Sequence, residues 1–149
     1  MDSMLRGNHP ARIDDKGRLK VPNGFRAFVE QQWGAELFVT SLSGDHVWIY
    51  PMAVWLEIER KLAGVPSTSP AKLRFLNRVN FYGQAVTMDR QGRVLLPQLL
   101  RASAAMAGEV SVLGLQNHLA VWNQKRLDER FKKEPFTEED GRVLSEYGI

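Results

Sequence analysis

Cysteine is absent from this 149-residue chain. That excludes disulfides, thiolate metal ligands and cysteine nucleophiles outright. Histidine is scarce: His9, His46 and His118 lie far apart, and no pair has the i, i+4 spacing of a helical metal site. Each reads as a surface or turn residue rather than a catalytic base. No apolar run approaches the ~18–20 residues of a membrane span, and the polar start Met1-Asp2-Ser3-Met4 is no secretion signal. A soluble, cytoplasmic protein with no membrane partner is therefore expected. The glycines fall into neither a Walker nor a Rossmann spacing. Asp14-Asp15 is flanked by Lys16 and Arg18, which hold both acids ionised, the wrong state for a general acid. Glu138-Glu139-Asp140 reads as charge at a helix N-terminus. No catalytic constellation is found, so no enzyme activity, metal or cofactor is predicted. Exposed aromatics interleaved with basic residues, the platform of single-strand binding, are lacking too. Trp33, Trp48, Trp55 and Trp122 sit in apolar patterns and read as core.

What is present is ordinary globular composition, 44% apolar and 25% charged. The net charge of +3 is too mild to name a partner. Its distribution is more informative. Residues 1–29 carry Arg6, Arg12, Lys16, Arg18, Lys20 and Arg26 against Asp2, Asp14 and Asp15, whereas the acids beyond Asp128 are roughly balanced by their own bases. A polyanion is a reasonable partner for the first stretch.

That stretch contains half of an internal repeat. Ile13-Asp14-Asp15-Lys16-Gly17-Arg18-Leu19-Lys20-Val21-Pro22 returns as Met88-Asp89-Arg90-Gln91-Gly92-Arg93-Val94-Leu95-Leu96-Pro97. Both copies keep Asp-x-x-Gly-Arg, then apolar-x-apolar-Pro. Short strands are predicted at 11–14 and 18–21 around a turn, with a helix capped by Asn23 running to about Gln32 and stopped by Gly34. A second hairpin at 37–40 and 47–50 follows, then a helix opened by Pro51 and ended at Gly64. The downstream plan is the same: strands 85–89 and 93–96, a helix from Pro97 to Gly108, strands 110–113 and 118–122, and a helix 124–133. A helix after Ser69-Pro70 should bury Leu73, Leu76 and Val79, and Thr137 ahead of Asp140 signals a short helix to about Ser145. The expected division is half 1 at 5–64, a linker and connecting helix at 65–83, half 2 at 84–134, and a tail at 135–149. Units below ~70–80 residues rarely stand on one core alone. Two related halves therefore suggest a shared core with pseudo-two-fold symmetry.

Two readings of Asp-x-x-Gly-Arg stand side by side. The aspartate can pair with the arginine across the turn and fix its register, although an exposed pair is worth only ~0–1 kcal/mol. Alternatively, paired hairpins present Arg18 and Arg93 on one face, where a guanidinium can fork onto phosphate or guanine. Asp14 and Asp89 would then hold those side chains in place. The same residues can do both.

Leu5-Arg6-Gly7, the two hairpin motifs and Trp48-Ile49-Tyr50-Pro51 resemble the MraZ family of bacterial transcriptional regulators, built of two tandem SpoVT/AbrB-type domains. The likeness covers nearly the whole chain. It implies an α+β swapped-hairpin, or double-split β-barrel, fold with the halves forming an intramolecular pseudo-dimer. It further implies ring-shaped homo-oligomers, association with the nucleoid, and binding of double-stranded DNA at repeated elements upstream of the cell division and cell wall gene cluster. The family's DNA-contacting arginines fall on Arg18 and Arg93. Lys16 and Arg90 are expected to join them on the duplex, with Arg6, Arg12 and Lys20 adding phosphate contacts and Asp14 and Asp89 orienting the arginines. The chain departs from the family in the extra Met1-Asp2-Ser3, and in having Gln91 and Leu95 where the first hairpin has Lys16 and Lys20. The second hairpin is therefore the weaker DNA face, or packs on a neighbour. The rival from another class is a ring-forming or antitoxin-like protein-interaction scaffold. For its surface Phe131, Phe136 and Tyr147 are candidates, unless the tail docks on the body.

Overall fold

A computed structural model describes residues 4–149; Met1-Asp2-Ser3 lie outside the described residues. The first half comprises β1 (Leu5–Ile13), β2 (Arg18–Lys20), α1 (Asn23–Gln32), β3 (Glu36–Thr40), β4 (Val47–Pro51) and α2 (Met52–Ala63). After α3 (Pro70–Phe81), the second half repeats it as β5 (Gln84–Thr87), β6 (Arg93–Leu95), α4 (Gln98–Ser103), β7 (Gly108–Gln116), β8 (Leu119–Asn123) and α5 (Gln124–Lys133). A last helix, α6 (Glu138–Ser145), closes the described chain.

All eight strands join one antiparallel sheet in the order β5-β3-β4-β8-β7-β1-β2-β6. Its end strands, β5 and β6, are consecutive in the chain and touch, so the sheet nearly closes into a barrel. The halves are interleaved rather than adjacent. β2 meets β1 only at Ile13–Leu19, then pairs along its whole length with β6 of the other half. β5 pairs with β3, not with β6 as a local hairpin would require. The swapped arrangement follows from the shortness of the motif strands: three residues of ladder hold a hairpin weakly, whereas a partner from the other half also buries their apolar side.

At that junction Leu19 and Val94 face each other, both fully buried. Val21 N–H donates to Gly92 O at 2.9 Å, and Leu96 N–H donates to Gly17 O at 3.0 Å, the same bond seen from each half. Leu19, Val21, Val94 and Leu96 thus anchor the core. Burying each contributes about 1.5–3 kcal/mol. A second junction lies where β4 pairs with β8 through Val47–Val121, Trp48–Ala120 and Ile49–Leu119. There His46 stacks on Trp122 (4.0 Å between centroids, 4° apart), and His118 stacks on Tyr50 (4.3 Å, 7°). Each histidine covers an aromatic ring of the other half. Both lie in the bends between strands, as expected of turn residues, but half-buried rather than open to solvent; His9 is exposed and meets Phe25 edge-on at 4.8 Å.

Other differences have local causes. β1 and β7 extend beyond the expected strands, pairing from Leu5–Gln116 to Ile13–Gly108; backbone pairing recruits the polar segment 5–10, which has no apolar alternation. α1 is capped by Pro22, preset at φ −53°, and Asn23 is already helical. α4 stops at Ser103, short of Gly108, although the alanines that follow favour helix. Buried Ala104 and Met106 pull the chain inward. Arg126 Nη1 donates to Ser103 O at 2.7 Å and Asn123 Nδ2 to Ala105 O at 3.2 Å, filling carbonyls that the helix would have used. On α3, Phe75 and Val79 face inward while Leu73 points out. The tail forms the predicted capping box at Thr137 and Asp140, but α6 buries nothing.

Candidate nucleic-acid interface

The two motif turns are built alike. Asp14 Oδ1 accepts the backbone N–H groups of Lys16 (3.0 Å) and Arg18 (2.9 Å), and Oδ2 accepts Arg18 Nε at 2.8 Å. Asp89 repeats this with Gln91, Arg93 and Arg93 Nε, each at 2.9 Å. These bonds, the backbone N–H of the arginine foremost, hold both carboxyls below the usual carboxylate value. The aspartate therefore shapes the turn and fixes the arginine's direction together. Among the described residues, the side-chain hydrogen bonds of Arg18 and Arg93 use Nε alone, so both Nη groups remain available to a ligand.

Gly17 and Gly92 complete the turns at φ 82° and 77°. The left-handed angle explains only part of their presence. A Cβ on Gly17 would lie 2.3 Å from Arg101 Cζ, and one on Gly92 would lie 2.6 Å from Arg26 Cδ. Each half thus sends a helix arginine beneath the other half's turn. Arg101 Nε donates to Leu96 O at 3.0 Å, while Arg26 pairs with Glu30 at 2.8 Å and donates through Nη2 to the Arg90 carbonyl. Sequence reading missed this pair. The signal was there: Arg26 and Arg101 each follow the motif proline by four residues, so the repeat runs one helical turn past Pro22 and Pro97.

Because β2 and β6 are antiparallel neighbours, the two arginines share one ribbon. Arg18 lies opposite Leu95 and Lys20 opposite Arg93, with Leu19 and Val94 on the buried side. The Ile13–Leu19 register carries the row on to Arg12, opposite Lys20, and both line one concavity with Pro10, Pro22 and Asn23. Arg12 reaches Glu109 at 3.7 Å across β7, and Lys20 Nζ donates to the Gln91 carbonyl. Lys16 and Arg90 sit in the exposed turns at the ribbon's ends. Arg12, Lys16, Arg18, Lys20, Arg90 and Arg93 are thereby brought together. Arg6 is not: it pairs with Leu115 near the far end of β1, roughly 20 Å along the strand at ~3.3 Å per residue. Leu95 is the one large apolar side chain exposed on the ribbon. Among the described residues no helix is long and apolar enough to cross a membrane.

An interleaved pair of β-β-α-β-β-α units with a cationic ribbon at its junction defines the class, a pseudo-dimeric swapped-hairpin barrel. The family model described as MraZ protein, whose description also points toward antitoxin-like proteins, matches residues 4–78 and 83–146. The chain belongs to the MraZ family. It is 49% identical over 146 residues to the transcriptional regulator MraZ of Acidobacterium capsulatum, covering 98% of this chain and 100% of that one. It is 48% identical over 147 residues to the namesake in Koribacter versatilis, again 98% and 100%. The Moorella thermoacetica protein of that name is 36% identical over 129 residues, 85% of each chain.

Proposed function

We propose that this protein is a transcriptional regulator that binds double-stranded DNA through the β2–β6 ribbon, at repeated elements upstream of the cell division and cell wall gene cluster. The observation that carries the reading is the placing of Arg18, Lys20 and Arg93 on one outward face by the pairing of the two motif strands. A two-stranded ribbon fits the ~12 Å major groove, where arginine can fork onto guanine O6 and N7. Asp14 and Asp89 hold the forks before DNA arrives, which reduces the ordering entropy lost on binding. Lys16, Arg90, Arg12 and Lys20 add phosphate contacts around them. Arg6, at the other end of β1, would reach only a flanking segment of the duplex or a neighbouring copy.

One chain offers few cations, so tight binding requires several copies on successive repeats, consistent with a ring-like homo-oligomer in the nucleoid. The scaffold reading has one observation in its favour, the exposure of Phe131, Phe136 and Tyr147 on the tail. Size exclusion with and without duplex separates the two.

The direct test is Arg18→Ala, assayed on the DNA upstream of the protein's own gene and on a scrambled duplex. Base readout predicts a discrimination loss of about 1–3 kcal/mol at one position. Phosphate contact alone predicts equal weakening on both duplexes and a salt slope smaller by about one. Unchanged binding by a folded variant would remove the ribbon from the interface.

A further inference from the structure

The helix that follows each half meets a different fate. α3, after α2, is docked: Val79 is fully buried, Phe75 stacks on Trp55 at 6.4 Å, and Thr40 Oγ1 donates to Val79 O at 2.6 Å. α6 holds the equivalent place after α5, yet no residue of it is buried. An eight-residue helix is far below the ~12–15 residues at which isolated helices become even marginal in water, so its capping box alone does not account for it. Phe136, Val143, Tyr147 and Ile149 are all exposed in and around it, Tyr147 at 75%. Four exposed large apolar side chains within one fourteen-residue segment are what a segment that docks on a partner would carry.

A matching surface lies on the outer side of α3. Leu73 (58% exposed) and Phe81 (64%) fall on one stripe through Asn77, at i, i+4 and i+8. Beside it Leu42, Ala71, Arg74, Phe75 and Arg78 line a concavity. The charges are complementary. α3 carries Lys72, Arg74 and Arg78 and no acid, whereas residues 134–149 carry Glu134, Glu138, Glu139, Asp140 and Glu146 against Arg142 alone. Arg74 and Arg78 have no ion-pair partner among the described residues, and neither do Glu138 and Glu146.

We propose that α6 of one copy docks on the α3 face of a second copy, the flanking Phe136 and Tyr147 on the Leu73–Phe81 stripe and its acids against Arg74 and Arg78. The two surfaces differ, so every copy both gives and receives. Such a head-to-tail contact closes into a ring when the rotation allows. This contact rests on the assembly proposed above and names the surfaces that would build it.

The absence of cysteine gives a clean test. A chain carrying both Leu73→Cys and Tyr147→Cys, oxidised and run on a denaturing gel, should give a ladder of covalent multimers ending at the native mass. Either substitution alone leaves no second cysteine across the contact and should give no ladder. Arg74→Glu with Arg78→Glu should lower association at least about tenfold, and Glu138→Arg with Glu146→Arg in the same chain should restore it. A purely internal cross-link, or no ladder from a protein whose native mass is multimeric, overturns the docking while leaving the assembly standing. A monomeric native mass for the unsubstituted protein overturns both, and DNA binding through the ribbon is then judged by the Arg18 assay alone.

Discussion

Gly17 must adopt a left-handed angle and also leave room for Arg101, and the two demands can be separated by substitution. An alanine there carries about 1–2 kcal/mol of left-handed strain. It also displaces the Arg101 guanidinium, breaking its bond to Leu96 O, worth about 1 kcal/mol. Gly17→Ala should thus lose about 2–3 kcal/mol in urea unfolding and Arg101→Ala about 1. The double variant should lose no more than Gly17→Ala alone, because the same bond is lost in each. Strict additivity would mean that Arg101 does not brace the turn. The legible part of this site was the Asp-x-x-Gly-Arg spacing, since an aspartate bonding backbone N–H groups two and four residues on is local chemistry. The reach of Arg101 under Gly17 was hidden because it depends on how the halves cross. Only the recurrence of an arginine four residues after each proline pointed to it.

Among elements, the lesson concerns partners more than types. Period and turn residues located the strands, but they do not state which strand is paired with which. The repeat implied a shared core, and family resemblance implied the swap; alternation alone suggested a local hairpin at 85–96. The β4–β8 junction shows what such crossing creates. Burial among Tyr50 and Trp48, with His46 nearby, lowers the His118 pKa from 6.5 to about 4, and burial lowers that of His46 despite Asp45 at 2.7 Å. An unfolded chain takes up these protons near pH 6.5, while the folded one resists. The stabilisation is therefore complete above pH 6.5 and is lost progressively as pH falls toward 4. For His118 it is on the order of 2 kcal/mol after discounting its exposed edge. Asp14 and Asp89 titrate below 3.8, outside this window. His118→Phe keeps the stack on Tyr50 and removes the proton site. Its urea midpoint should fall less between pH 7.5 and 5 than that of the unsubstituted protein, and parallel falls would show that His118 does not contribute to the pH dependence.

On the scale of the whole molecule, the cationic ribbon and the α3 and α6 surfaces are separate parts of one chain, so affinity per copy and number of copies can be varied independently. If each copy neutralises about four phosphates, log K falls with log salt at a slope near −3.6 per engaged copy on duplex DNA. Joining copies makes each later contact intramolecular and raises avidity by about 10²–10⁴ without a new DNA contact. Tyr147→Asp places a charge in the proposed apolar contact and leaves Arg18, Lys20 and Arg93 untouched. On a duplex with one repeat it should bind as the unsubstituted chain does, with the same slope. On a duplex with several repeats it should bind about 10²-fold more weakly, with a slope that falls toward the single-repeat value. Equal loss on both duplexes would instead put the tail at the DNA, and equal retention would show that copies engage successive repeats without α6. The comparison therefore reads the tail's role from the dependence on repeat number, which a general loss of stability would not produce.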